Sequence, residues 1–144
     1  MQILNPQSTE ELKAYYQLRW KILREPLGFE QGSEKDNLED VSIHRVIKKE
    51  NKFIAVGRLH FIDDTTSQIR YMAVEEGFQK KGLGKLIVDE FEQISIKKNI
   101  LKIILYSRES AVKFYEKLGF LTIEKAHRLK GIQHFLMEKR IDTL

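Results

Sequence analysis

Three strand-like segments follow one another between Ser42 and Val74 with no helix between them: SIHRVIKKE, KFIAVGRLHFID and SQIRYMAV. A tight turn near Glu50–Asn51 joins the first two. A regular doubly wound sheet alternates strands and helices throughout, so this run excludes it. Before it, the pattern predicts a short strand near Ile3 and a helix running from a Ser8–Glu11 capping box to about Arg24. Leu12, Tyr15, Tyr16, Ile22 and Leu23 form the apolar stripe of that helix, and Arg19 interrupts it. Pro26, Gly28 and Gly32 then open a long connection, with a short helix expected around Glu34–Leu38.

After the three strands, Leu83, Ile87, Phe91 and Ile94 recur at helical spacing in a helix from Gly82 to Lys98, with Asn99 as its left-handed cap. ILKIILY reads as a buried strand. Ser107 is expected to cap a second helix, which Gly119 ends and which carries Ala111, Phe114, Tyr115 and Leu118 on one face. A strand from Phe120 and a final strand, GIQHFLMEK, follow. The expected order is β-α-(α)-β-β-β-α-β-α-β-β, an α/β mixture. No repeat, low-complexity tract or Gly/Ser linker divides it, so one domain over residues 1–144 is expected.

Composition narrows the chemistry. The chain has no cysteine, which removes disulfides and thiolate nucleophiles and suits a reducing cytoplasm. MQILNPQSTEELKAYY is not a signal peptide, and no apolar run approaches the roughly 20 residues that span a bilayer. A cytoplasmic location away from membranes is the expectation. The net charge of +4 is modest, the lysines are scattered, and no helix-turn-helix or RNA-binding signature accompanies them, so nucleic acid is not an expected partner.

One stretch asks for a special reason. VEEGFQKKGLGK places glycines and lysines where a helix begins. Glycine is a poor helix former, but it lets a ligand approach the backbone closely. The first turn of a helix also offers unpaired N–H groups and a positive dipole end to an anion such as phosphate. The stretch is not a P-loop, because Leu83 stands after Gly82 where lysine is required, and Ile87 breaks G-x-G-x-x-G.

MAV…QKKGLGK followed by AVKFYEKLGF resembles the GNAT family of N-acetyltransferases. Gln79, Gly82 and Gly84 match its Q/R-x-x-G-x-G/A signature; Ala111, Phe114, Tyr115, Lys117, Gly119 and Phe120 match its second one. Leu18–Arg19, Gly32–Asp36, Gly57–His60 and His134 with Met137 extend the likeness to small bacterial members, over nearly the whole chain. The resemblance implies a central mixed, mostly antiparallel sheet of about six to seven strands flanked by helices. It also implies acetyl-CoA as co-substrate without a metal, a primary amine on a small molecule or peptide as acceptor, and a possible homodimer.

By the same resemblance, backbone N–H groups of Gln79, Lys80, Lys81, Gly82, Leu83, Gly84 and Lys85 would bind the CoA pyrophosphate, with the lysines adding attraction. Met72, Ala73 and Val74 would pair with the pantetheine arm and hold the thioester carbonyl, where a main-chain N–H could serve as oxyanion donor. Tyr115 takes the position whose phenol protonates the departing sulfur. For the base, relatives place a glutamate where this chain has Gln68, so His134 is preferred, with Glu109 and His60 after it, or water alone. Arg108 stands where many relatives have asparagine and implies a different local contact to CoA or a substrate carboxylate.

Arg19 is expected to pair with Asp36 or Glu39, and the acidic GFEQGSEKDNLED segment to favour a cationic acceptor. With no cysteine to carry the acyl group, direct attack of the amine is expected over a covalent intermediate. A CoA-binding sensor or partner-binding module that has lost turnover is the alternative, motivated by Gln68 and Arg108.

Overall fold

The computed structural model describes residues 1–142. Its elements are β1 (Gln2–Leu4), α1 (Thr9–Leu23), β2 (Ile43–Lys49), β3 (Lys52–Phe61), β4 (Thr66–Val74), α2 (Leu83–Lys97), β5 (Lys102–Arg108), α3 (Val112–Lys117), β6 (Leu121–Leu129) and β7 (Ile132–Arg140). Single 3-10 turns occupy Glu25–Leu27, Glu39–Val41 and Glu109–Ala111. The strands form one mixed sheet in the order β1-β2-β3-β4-β5-β7-β6. β4 and β5 run parallel through Thr66↔Lys102 and Gln68↔Ile104, as a crossover through α2 requires. The β1–β2, β2–β3, β5–β7 and β6–β7 pairs are antiparallel. The mixed α/β sheet with its flanking helices is therefore the architecture expected above.

Local chemistry explains the boundaries. Ser8 Oγ accepts from the Glu11 N–H, and the Glu11 carboxylate accepts from the Ser8 N–H, so the capping box starts α1. Glu50 (φ 57°) turns the β2–β3 hairpin, Asn99 (φ 60°) ends α2 and Gly119 (φ 97°) ends α3 in the left-handed region. Two local expectations fail. Ser107 lies inside β5 and donates to the Arg108 carbonyl at 2.8 Å, so it does not cap α3, which starts after the Glu109–Ala111 turn without a side-chain cap. The helix expected at Glu34–Leu38 is absent; the chain makes turns there and a 3-10 turn at Glu39–Val41.

The backbone groups into two compact units, Met1–His60 with Tyr71–Glu90, and Phe61–Arg70 with the chain from Phe91 onward. In the first unit Tyr15, Leu18, Val46, Val56 and Ala73 form a buried cluster, with Leu4, Leu12, Tyr16, Ile22, Leu23 and Phe53 packed on it. In the second unit Ile103, Leu105, Phe120 and Met137 are buried, and the Ser67 and Ser95 hydroxyls satisfy each other at 2.9 Å.

Beside the first core lies a buried ion cluster. Arg19 and Arg58 are both fully buried. Arg19 donates to Glu39 at 2.9 Å, to the Glu34 carbonyl at 2.9 Å and to Tyr15 Oη at 2.7 Å. Arg58 forks onto both oxygens of Asp36 at 2.6 and 3.0 Å and also reaches Glu39 at 2.8 Å. Arg19 thus takes Glu39, one of its two expected partners. Two carboxylates balance two guanidiniums, which is what makes such burial tolerable. The same geometry gives the acidic residues of this segment a structural role. Asp36 and Glu39 neutralise internal arginines, and Glu34 Oε1 accepts from the Gly32 N–H at 2.7 Å.

His44 belongs to the same cluster. Its Nε2–H donates to the Glu39 carbonyl at 2.8 Å, because a carbonyl can only accept. Nδ1 is then the bare nitrogen that receives the Tyr15 hydroxyl at 2.6 Å. Burial lowers the His44 pKa; the Glu39 carbonyl and carboxylate oppose this, and the Arg19 and Arg58 charges add to it.

Two outcomes test the cluster. Glu39→Gln leaves guanidinium charge buried without its counter-ion and should lower the urea-unfolding free energy by about 3 kcal/mol or more, against about 0.5 kcal/mol or less for the exposed neighbour in Asp40→Asn. Because folding lowers the His44 pKa, the unfolded chain binds its proton first. Stability is full above about pH 6.5 and falls as the pH drops through the lowered folded value. The urea midpoint should therefore drop between about pH 7 and pH 5, and His44→Asn should flatten that limb.

Candidate active site

The glycine stretch forms the turn from β4 to α2. Gly77 (φ 89°), Lys80 (φ 61°) and Gly82 (φ 82°) all lie in the left-handed region, so the backbone curls three times within six residues. Curled backbone of this kind gathers N–H groups into a concave, anion-binding face. The curl is held from inside: the Phe78 N–H donates to the Glu75 carbonyl at 3.0 Å and Gln79 Nε2 to the Val74 carbonyl at 3.2 Å. Gln79 acts through its side chain as a brace for the loop. Leu83 is buried at the start of α2 and anchors the helix end, while Gln79, Lys80, Lys81 and Gly82 are exposed.

Gly82 separates two reasons for glycine. A Cβ built there meets no atom within 4 Å, so packing does not demand glycine; the positive φ does. The space in front of this backbone is open, as close approach of a phosphate requires. Gly84 falls in the first turn of α2.

The lysines divide. Lys85 pairs with Asp89 one helical turn on, at 2.6 Å with both side chains exposed. Lys81 instead lies 5.8 Å from the centre of the Phe78 ring, a ring that Lys49 and Lys52 of the β2–β3 hairpin also approach, at 5.5 and 6.0 Å. This extends the positive rim of the loop to two residues that the sequence reading did not select. Only the turn between β2 and β3 brings them there.

Met72, Ala73 and Val74 close β4 ahead of the loop; Ala73 is buried and the other two half-buried. The residue before them, Tyr71, has φ 57° in mid-strand. For an aromatic residue this is strained by about 1–3 kcal/mol and calls for a structural cause. Arg19 and Arg58 supply contacts to its ring at 4.2 and 4.9 Å, and Arg24 lies at 5.7 Å. Desolvated cation–π contacts are worth about 2 kcal/mol, enough to offset that strain. His60, a candidate base, lies in this cluster with Nδ1 3.5 Å from Arg58 Nη2, as an interior histidine facing a cation.

In the second unit, Tyr115 is 7% exposed and packs edge-on against Phe114 and Phe120, with ring centres 4.9 and 5.7 Å away. Burial alone pushes its phenol pKa up, so the hydroxyl stays protonated at neutral pH. His134 sits on β7 opposite Arg108 of β5, so the sheet register brings these two selected residues together. His134 Nδ1 donates to the Ile132 carbonyl at 3.0 Å. His127 stacks on it at 4.5 Å and 19°, with Tyr106 beyond at 5.6 Å. Glu109 is exposed at the head of the 3-10 turn after β5. Sequence alternation does not pair His127 with His134, because the register of β6 slips between Lys125 and Arg128.

Among the described residues, no cluster of histidine, cysteine or carboxylate side chains could hold a metal ion. No helix there is long and apolar enough to cross a membrane.

The Acetyltransferase (GNAT) family pattern matches residues 8–120. A Bacillus subtilis (strain 168) protein whose name marks it as a candidate acetyltransferase is 29% identical over 139 residues, covering 94% of each chain. The crystal structure of an aminoglycoside 6'-N-acetyltransferase complexed with coenzyme A superposes with a TM-score of 0.84 over 100% of this chain and 99% of that one, at 15% identity. The Escherichia coli ribosomal-protein-S18-alanine N-acetyltransferase gives 0.80 over 99% and 95%, at 18% identity. At such identities the structural likeness speaks for the fold, and the sequence match speaks for the family. This chain belongs to the acetyltransferase (GNAT) family.

Proposed function

We propose that this chain, as a single domain over residues 1–144, transfers the acetyl group of acetyl-CoA to a primary amine by direct attack. The observation that carries the reading is the loop after β4: three left-handed residues, open space at Gly82 and a lysine rim, in a chain of the acetyltransferase family. Two structural neighbours whose names specify amine acceptors support the acceptor class, and one of them was solved with coenzyme A.

In this reading the N–H groups from Gln79 to Lys85 hold the pyrophosphate, helped by the positive end of α2. Met72, Ala73 and Val74 align the pantetheine arm, and a backbone N–H there stabilises the carbonyl oxygen as the amine adds. His134 Nε2 accepts the proton that the attacking ammonium loses, with Arg108 beside it on the paired strand. Glu109 is the second candidate for that role. Tyr115 donates a hydrogen bond to the leaving sulfur. Its raised pKa makes complete proton transfer to a thiolate less favourable, so sharing the proton with the sulfur is the larger part of its role.

Calorimetry with CoA and a thiol-release assay over a panel of amines test the proposal. Gly82→Ala forces a side chain into a left-handed position and should weaken CoA binding about tenfold. Tyr115→Phe should leave CoA binding unchanged and lower kcat about tenfold to hundredfold. His134→Gln should remove the acid limb of kcat/KM between about pH 5 and 8. If CoA binds tightly but no amine is acetylated, a CoA-responsive binding module replaces the enzyme. If CoA does not bind, the reading fails.

A further inference from the structure

Tyr71 keeps a left-handed conformation that a bulky residue rarely adopts, and it keeps it inside a nine-residue strand. Neither glycine chemistry nor a chain reversal accounts for it. What surrounds the side chain does. Arg19 and Arg58 are fully buried and approach the ring at 4.2 and 4.9 Å. Their Nη atoms are anchored on Glu39, Asp36, the Glu34 carbonyl and Tyr15. The Nε of each is buried with no hydrogen-bond partner. Two guanidiniums are thus fixed at their outer ends by carboxylates and turned toward an aromatic ring, at the expense of one hydrogen bond apiece. Such a desolvated assembly resists rotation of the ring, and through it of the backbone that carries the ring.

A left-handed residue in a strand redirects the peptide group that follows it, away from the regular ladder. Here that group carries the N–H of Met72, the first of the three residues assigned above to the thioester. We propose that Arg19 and Arg58, acting through the Tyr71 ring, are positioning residues that set the direction of the Met72 N–H toward the thioester carbonyl. The inference rests on the acetyl-CoA reading and adds to it a cause for the geometry. The Arg19 interruption of the α1 stripe, the arginine inside apolar β3 and the two acidic residues of the intervening loop then share one task.

The test follows the Met72 amide by 1H–15N spectroscopy during titration with acetyl-CoA, alongside kcat and KM for the best amine of the panel. Wild type and Tyr71→Phe should both show a Met72 shift on binding and agree in kcat within about twofold, because the ring is retained. Tyr71→Ala should bind acetyl-CoA within about threefold of wild type, lose the Met72 response and lower kcat about tenfold to hundredfold, as expected for a misdirected oxyanion donor. Tyr71→Gly removes the ring but accommodates the left-handed conformation without strain, so it should fold even where the alanine variant does not. It too should lose kcat and the Met72 response. Wild-type kcat and an unchanged Met72 response in Tyr71→Gly would overturn the inference while leaving the acetyl-CoA reading intact. A proportional loss of acetyl-CoA affinity and kcat would also overturn it, as a general structural defect. No response of wild type to acetyl-CoA would overturn both.

Discussion

Two guanidinium groups buried beside two carboxylates set the terms for the first compact unit. Arg19 comes from α1, Arg58 from β3, and Asp36 and Glu39 from the connection between α1 and β2. None of these charges tolerates burial alone, since an unpaired ion costs several kcal/mol in the interior, about 3–5 when a partner is removed. The cluster therefore holds helix, strand and connection in one arrangement, and it gives a long segment without regular secondary structure a definite path. The Tyr15 hydroxyl and His44 complete it, with each polar hydrogen directed by the acceptor opposite.

From that cluster the contacts run to the backbone that we propose holds the thioester. Tyr71 bears on the guanidiniums with its left-handed backbone, directly ahead of Met72, Ala73 and Val74 in β4. Beyond Val74 the control passes from side chains to the main chain: left-handed residues curl the loop, Gln79 braces it, and the space before Gly82 stays open. Packing energy positions the strand, and backbone conformation shapes the loop proposed to bind the pyrophosphate. The two devices meet at Glu75, whose N–H donates to the Ile54 carbonyl and whose carboxylate pairs with Lys21.

Much of the fold was legible because its signals are local. Ser8 with Glu11, Asn99 and Gly119 each mark a helix end through bonds or φ angles within a few residues, and each does so in the structure. Ser107 failed as a cap because its strand continues to Arg108 and a 3-10 turn intervenes, a competition that a capping pattern does not register. The pairing within the acidic connection was hidden for a related reason. Its charge is visible in the sequence, but a carboxylate facing solvent and one bonded to a buried arginine look alike there. At the candidate site the loop and Tyr115 carried recognisable patterns, whereas Lys49, Lys52 and His127 reach their places through hairpin geometry and strand register.

The amino-acid sequence by itself determined the succession of strands and helices, the left-handed turns at glycine and asparagine, and membership of the acetyltransferase family, since each follows from neighbours in the chain or from a contiguous motif. The tertiary structure alone decided which charges neutralise one another and which histidine stacks on His134. It also decided why a tyrosine in mid-strand holds a conformation its own bulk disfavours. Those outcomes depend on groups far apart along the chain, whose interaction energies arise only when folding removes the water between them.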